Sequence, residues 1–336
     1  MPSELLSRQP SGRQLLILAD HAVPGPKRKN PQADKANQIT KQLCQKYRID
    51  LPNIDEYNTM AAHVFPHAPV DRLVAITLWL DFLYFIDDLY DRNITHLYSH
   101  DAEKYQHILE NTLRIICDRD KPKTDHPFYP VAYELNRRFS EIAMPGWFER
   151  FKAASMKHLR SVTYDAEHAV DDSGTLSVEK YIALREADCA MESMISTIDI
   201  ALGVYTPDAV LNHPKIQRLV RLATRFGGFS NELFSYEKEV LRLGSRFNLV
   251  AVFMEAHELS FAEAVHETIL LINRETAEFL ELEKNLPVWD DPHLNELARL
   301  YASALKDQIV AAYHWQFTTN RYRSPHSPFP ELRQML

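Results

Sequence analysis

From Asn37 onward, apolar side chains recur at intervals of three and four, the spacing that gathers one face of an α-helix. Thr40, Leu43, Cys44 and Tyr47 open the pattern. Pro66 and Pro69 break it, and a strongly apolar stretch follows from Leu73 to Tyr90. Further helical periodicity predicts helices over 101–118, 128–142, 147–168, 177–203, 213–243, 246–257, 260–284 and 293–318. Pro207, Pro214, Pro287 and Pro292 fall at the joints, where a ring-locked φ and a missing N–H do least harm. Asp172, Ser173 and Gly174 mark a loop, and Ser177 marks a helix start. Glu179 stands one position too early to complete a capping box there. Few segments alternate strictly, so no sheet is expected. The reading is an all-α chain of about nine to twelve helices in one domain.

The first 36 residues differ. Pro10, Gly12, Pro24, Gly25 and Pro26 punctuate them, and Lys27, Arg28 and Lys29 form a solvated cluster. Residues 1–36 are therefore expected to be loosely structured, and 37–336 to form the helical domain. Only 8 of 336 residues are glycine, and none falls in a GxGxxG or GxxxxGK[ST] pattern, so no dinucleotide or P-loop cradle is visible. The formal charge of -8 without a basic block argues against a nucleic-acid partner. Cys44, Cys117 and Cys189 are widely spaced, with no CxxC, and read as core residues of a chain in the reducing cytoplasm. No apolar run reaches the length of a membrane span.

The candidate chemistry starts at Asp87, Asp88 and Asp91, which close the apolar stretch as DDLYD. Three carboxylates in one turn repel one another unless water or cations intervene. Leu83 and Tyr84 lie one turn below Asp87, and Leu80 two turns below, so the helix face runs from apolar to acidic. Hard oxygen ligands in this arrangement suit Mg²⁺, which keeps waters and shares substrate phosphates. A solvated acidic helix end has the same composition, and taken alone the two readings stand level. A second column breaks the tie. Asn231, Ser235 and Glu239 stand at i, i+4 and i+8 and offer an amide oxygen, a hydroxyl and a carboxylate. Lys238 adjoins them and can meet a phosphate as a point charge. Gly227 and Gly228 just upstream are unusual in a helix and suggest a bend or a close backbone approach.

With both columns in place, the chain resembles the bacterial-type class I terpene synthases. DDLYD and NELFSYEKE are similar to their aspartate-rich and NSE metal motifs, and the likeness extends from about Phe65 over most of the chain. The resemblance implies an antiparallel helical bundle of the class I isoprenoid synthase fold around a central cavity. It implies three Mg²⁺ ions held through Asp87, Asp88, Asp91, Asn231, Ser235 and Glu239. It places a diphosphate-sensing arginine 46 residues before the NSE asparagine, at Arg185, with Asp188 as the linker that holds it. Cys189 takes the effector position, where the family more often has a small residue. Arg321 and Tyr322 match a diphosphate-binding pair, which joins Arg185, Asn231 and Lys238 around the leaving group. Trp315, 6 residues before Arg321, matches a cavity aromatic, and Leu80 and Tyr84 are the other expected cavity-lining residues. Glu232 stands where the family carries Asp; that position is not a metal ligand, and the resemblance gives it no role.

The implied reaction is Mg²⁺-dependent ionisation of a linear prenyl diphosphate, then cyclisation of the carbocation and release of diphosphate. Farnesyl diphosphate is the first choice of substrate and geranylgeranyl diphosphate the second. A homodimer is compatible with the reading. Arg185→Lys is then expected to cost turnover with little change in thermal stability. A chain-elongating prenyl synthase is the nearest alternative, but Asp171-Asp172 and Asp290-Asp291 lack the third acid of a second DDxxD motif. A non-catalytic helical scaffold leaves the metal columns and Arg185 unexplained. His96 and His100 read as solvated histidines. His257-Glu258 lacks the second histidine of HExxH, since Phe261 holds its place.

Overall fold

The computed structural model describes residues 25–91, 102–161 and 176–333. In chain order the helices are α1 (Ala33–Tyr47), α2 (Ile54–Val64), α3 (Val70–Asp91), α4 (Ala102–Asp118), α5 (Tyr129–Ile142), α6 (Trp147–Ser161), α7 (Val178–Asp188), α8 (Met191–Ile195), α9 (Ile198–Leu202), α10 (Asp208–Leu211), α11 (Pro214–Tyr236), α12 (Leu249–Ala256), α13 (Phe261–Lys284) and α14 (Pro292–Thr318). No strand occurs among the described residues, and none of their helices is long and apolar enough to cross a membrane. The contacts group the helices into two compact units, one holding α1–α6, α8 and α9, the other α7 and α11–α14.

In the first unit α3 is the central element, packed by α1, α2 and α5. Its apolar residues run all the way round, so it is buried on every side over most of its length. Trp79 stacks its edge on Phe151 and donates its indole N–H to Ser193 Oγ at 3.0 Å, which joins α3 to α8. Asp81 is fully buried beside the Cys44 thiol, which donates to it at 3.4 Å. Burial holds that carboxyl well above the usual carboxylate range.

In the second unit α11 lies between α13 and α14, while α7 packs on α11 and α12. Gln316 of α14 donates to the Gly227 carbonyl at 3.0 Å and accepts from the Ser230 hydroxyl at 2.7 Å. On another face, Arg225 of α11 bridges Glu186 of α7 and Glu275 of α13. Arg218 grips Glu278 of α13 with two bonds of 2.7 and 2.6 Å.

Three expectations change. Order begins before residue 37, because the buried Asn30 amide donates to the Phe65 and Ala68 carbonyls, both at 2.8 Å, and fixes the entry into α1 at Ala33. The helix expected over 177–203 is three helices. Ala190, at φ 58°, separates α7 from α8, Ser196 and Thr197 separate α8 from α9, and Gly203, at φ 72°, ends α9. Ser177 does cap α7, accepting from the Lys180 N–H at 3.2 Å. The helix expected over 213–243 changes winding at Glu237 and continues to Arg242 as a π-helix. The part of 147–168 beyond Ser161, together with His96 and His100, lies outside the described residues.

Candidate active site

The second unit gathers most of the residues singled out on it. Arg185, in the last turn of α7, has a side chain only 12% exposed and makes three directed bonds. Its Nε donates to Glu232 Oε1 at 2.6 Å, Nη1 to Asp188 Oδ2 at 2.6 Å, and Nη2 to Asn231 Oδ1 at 3.0 Å. The Asn231 amide in turn donates to the Tyr322 hydroxyl at 2.7 Å. Tyr322 belongs to the 3₁₀ turn Asn320–Tyr322, which the Thr319 hydroxyl caps at the Arg321 N–H, and its ring meets Trp315 edge-on at 5.8 Å. Arg185, Asp188, Asn231, Tyr322 and Trp315 thus form one connected group. Burial works against the charge of Arg185, but the carboxylates of Glu232 and Asp188 outweigh it and keep the guanidinium protonated.

Ser235, at the end of α11, and Glu239, in the π-helix that continues it, form the next layer, the Ser235 hydroxyl donating to Glu239 Oε2 at 2.8 Å. The π-helix matters here. In an α-helix eight residues turn the third ligand about 80° away from the first. The Leu243 N–H bonds the Lys238 carbonyl, an i→i+5 step, and the wider winding turns less per residue, which draws Glu239 back toward the Asn231 face. Burial, together with the charge of Glu232, pushes the Glu239 carboxyl above the usual carboxylate range. An amide oxygen, a hydroxyl and a carboxylate are all hard donors, so this column fits an Mg²⁺-like cation. Lys238 is half-buried beside it.

Cys189 caps the C-terminus of α7, its N–H donating to the Arg185 carbonyl at 3.0 Å. Gly228 allows α11 to approach there: a Cβ at that position would come within 3.1 Å of Cys189 Cβ. Of the bend or close approach expected at the glycine pair, a close approach is present at Gly228, against the Cys189 side chain.

In the first unit, Leu80, Tyr84, Asp87 and Asp88 lie along α3. Leu80 and Asp88 are buried, Asp87 is exposed and Tyr84 is half-buried. The Tyr84 ring stacks on Tyr57 of α2 at 4.2 Å, and its hydroxyl lies 3.5 Å from Met60 Sδ. Asp91 ends the helix, and its side chain lies outside the described residues.

Sequence reasoning missed Glu232 and Tyr181. Glu232 is fully buried and accepts from Arg185, from the Tyr181 hydroxyl and from the Leu249 N–H at 2.8 Å. Burial and the charge of Glu232 hold the Tyr181 phenol well above its ordinary value, so it stays the donor. The available signal was a carboxylate set between Phe229 and Leu233 on the apolar phase of a helix, since such a group needs a partner.

The all-α fold, with an oxygen-donor column beside a buried arginine, agrees with the class I terpenoid synthase fold expected from the sequence. The chain matches the family model for terpene synthase family 2, C-terminal metal binding, over residues 78–278. It belongs to the terpene synthase family. It is 25% identical over 307 residues to sesquiterpene synthase 6 of Postia placenta, covering 88% of this chain and 87% of that one. It is 26% identical over 268 residues to the 7-epi-alpha-eudesmol synthase of Streptomyces viridochromogenes, described as (2E,6E)-farnesyl diphosphate cyclizing, covering 78% and 77%. Among solved structures its fold matches germacradien-4-ol synthase from Streptomyces citricolor with TM-score 0.74 and 22% identity, over 88% of this chain and 97% of that one.

Proposed function

We propose that this terpene synthase ionises farnesyl diphosphate, with geranylgeranyl diphosphate as the second choice, and cyclises the cation to a terpene hydrocarbon or alcohol. The observation that carries the reading is the connected group Arg185–Asn231–Tyr322. It joins in one hydrogen-bonded chain the expected sensor, the first ligand of the NSE column and the tyrosine of the diphosphate-binding pair. The farnesyl diphosphate named for the Streptomyces viridochromogenes relative supports the C15 choice.

Asn231 and Ser235 on α11, Glu239 on the π-helix that continues it, and Asp87, Asp88 and Asp91 on α3 would hold Mg²⁺. When bound, the ions neutralise the diphosphate and make it a competent leaving group. Arg185 contacts the departing diphosphate through a planar fork that Asp188 orients, and Lys238, Arg321 and Tyr322 add donors. Cys189, at the α7 terminus, occupies the effector position. Leu80, Tyr84 and Trp315 are the side chains this reading assigns to keeping water from the cation, and an aromatic face stabilises such a charge.

The test is incubation of purified protein with geranyl, farnesyl and geranylgeranyl diphosphate, with Mg²⁺ and with chelator. Diphosphate release and gas chromatography with mass spectrometry are the readouts. Cyclic C15 products that require Mg²⁺ are expected. Inertness toward all three substrates, or consumption only together with isopentenyl diphosphate, overturns the reading.

A further inference from the structure

The geometry points to Glu232, braced by Tyr181, as the positioning residue that sets the Arg185 guanidinium toward a diphosphate. The inference rests on the function proposed above. An arginine that must receive a diphosphate through one edge of its fork needs its remaining donors held fixed. Asp188 meets Nη1, but it sits on the same helix as Arg185, is 27% exposed, and moves with α7. Glu232 is different. It is fully buried on α11, next in sequence to Asn231, and meets Nε at 2.6 Å.

Its own orientation is fixed from two sides. Oε2 takes the Tyr181 hydroxyl from α7 and the Leu249 N–H from the start of α12. The Glu232 carbonyl accepts from the side chain of Asn248, the N-cap of α12, at 3.0 Å. Oε1 is left for Arg185. The carboxylate therefore ties the sensor arginine to α11, which carries Asn231 and Ser235 and runs on into the π-helix of Glu239. The longer glutamate suits this chain, because an aspartate reaches about 1.5 Å less and cannot serve α7 and α12 together without backbone movement.

Glu232→Gln, Glu232→Asp and Tyr181→Phe separate positioning from mere support. The readouts are calorimetric affinity for inorganic diphosphate with Mg²⁺, kcat and KM for farnesyl diphosphate, and Tm. Tyr181→Phe is expected to weaken diphosphate binding and lower kcat about tenfold, the scale of one charge-assisted hydrogen bond, with a smaller change in KM. Glu232→Gln is expected to lose more, and Glu232→Asp to recover part of the loss. Folded Gln and Phe variants that bind diphosphate within about twofold of the parent overturn the inference, even if their Tm falls. If Glu232→Gln does not fold, Tyr181→Phe decides alone. A parent protein that neither binds nor releases diphosphate removes the functional reading and the inference with it. Parent binding with unchanged variants removes the inference alone.

Discussion

Replacing Arg185 separates what its charge does from what its shape does. The side chain makes bonds of 2.6, 2.6 and 3.0 Å to three acceptors, and Glu232, the most enclosed of them, has a side chain 1% exposed. Arg185→Lys keeps the charge, but one ammonium cannot reach three acceptors arranged around a planar fork. Two directed bonds are lost. At about 1.5–3 kcal/mol for each bond to a charged group, reduced because Asp188 regains water, the net cost is about 2–3 kcal/mol. Arg185→Met removes the charge and leaves Glu232 buried without a counter-ion, at about 3–5 kcal/mol. At roughly 2 °C per kcal/mol for a chain of this size, Tm should fall by about 4–6 °C for Lys and 6–10 °C for Met. The sequence leads to the expectation of a lysine variant with little change in stability; the burial of the pair adds a stability cost to the expected loss of turnover. The checks are thermal and urea unfolding alongside diphosphate release from farnesyl diphosphate. A methionine variant with parental Tm refutes the buried pair, and a lysine variant with parental turnover refutes the sensor.

Asp87→Ala, Asn231→Ala and Glu239→Ala should abolish diphosphate release while circular dichroism shows a folded protein; a folded variant with parental turnover would contradict the metal columns. Gly228→Ala gains about 1 kcal/mol of helix propensity but forces a contact of 3.1 Å against Cys189 Cβ. Overpacking costs about 1–3 kcal/mol, so Tm should hold or fall slightly while turnover drops, and a more stable, fully active variant would count against the close approach. His126 is held neutral by burial, with its pKa lowered to about 4, and its Nδ1 accepts the Phe128 N–H at 3.2 Å. The unfolded chain binds that proton near the ordinary histidine value of about 6.5, so the contribution is present above that pH and lost as pH falls toward 4. His126→Asn keeps an acceptor without titrating, and its Tm should decline less than that of the parent across the same window.

The helical class was legible because periodicity and proline placement are local. The spacing of Asn231, Ser235 and Glu239 was legible because one helix carries all three. Arg185 was reached only through resemblance, since 46 residues of chain separate it from Asn231 and no local pattern spans that distance. Glu232 was passed over because its importance lies in desolvation, and burial belongs to the packed state. The break at Ala190 was invisible for a related reason. Alanine is the best helix former, and only packing of the neighbouring helices holds it at φ 58°.

The π-helix from Glu237 to Arg242 makes this stretch intolerant of a change in length. Surface segments elsewhere absorb an added or missing residue by shifting a loop. Removing one residue between Glu237 and Arg242 would instead let the chain relax to ordinary α winding. The peptide bonds would then pair more favourably than before, yet the carboxylate of Glu239 would swing off the face that Asn231 and Ser235 share. Such a deletion would leave a better helix and a poorer alignment of the three oxygen donors proposed to hold the cation.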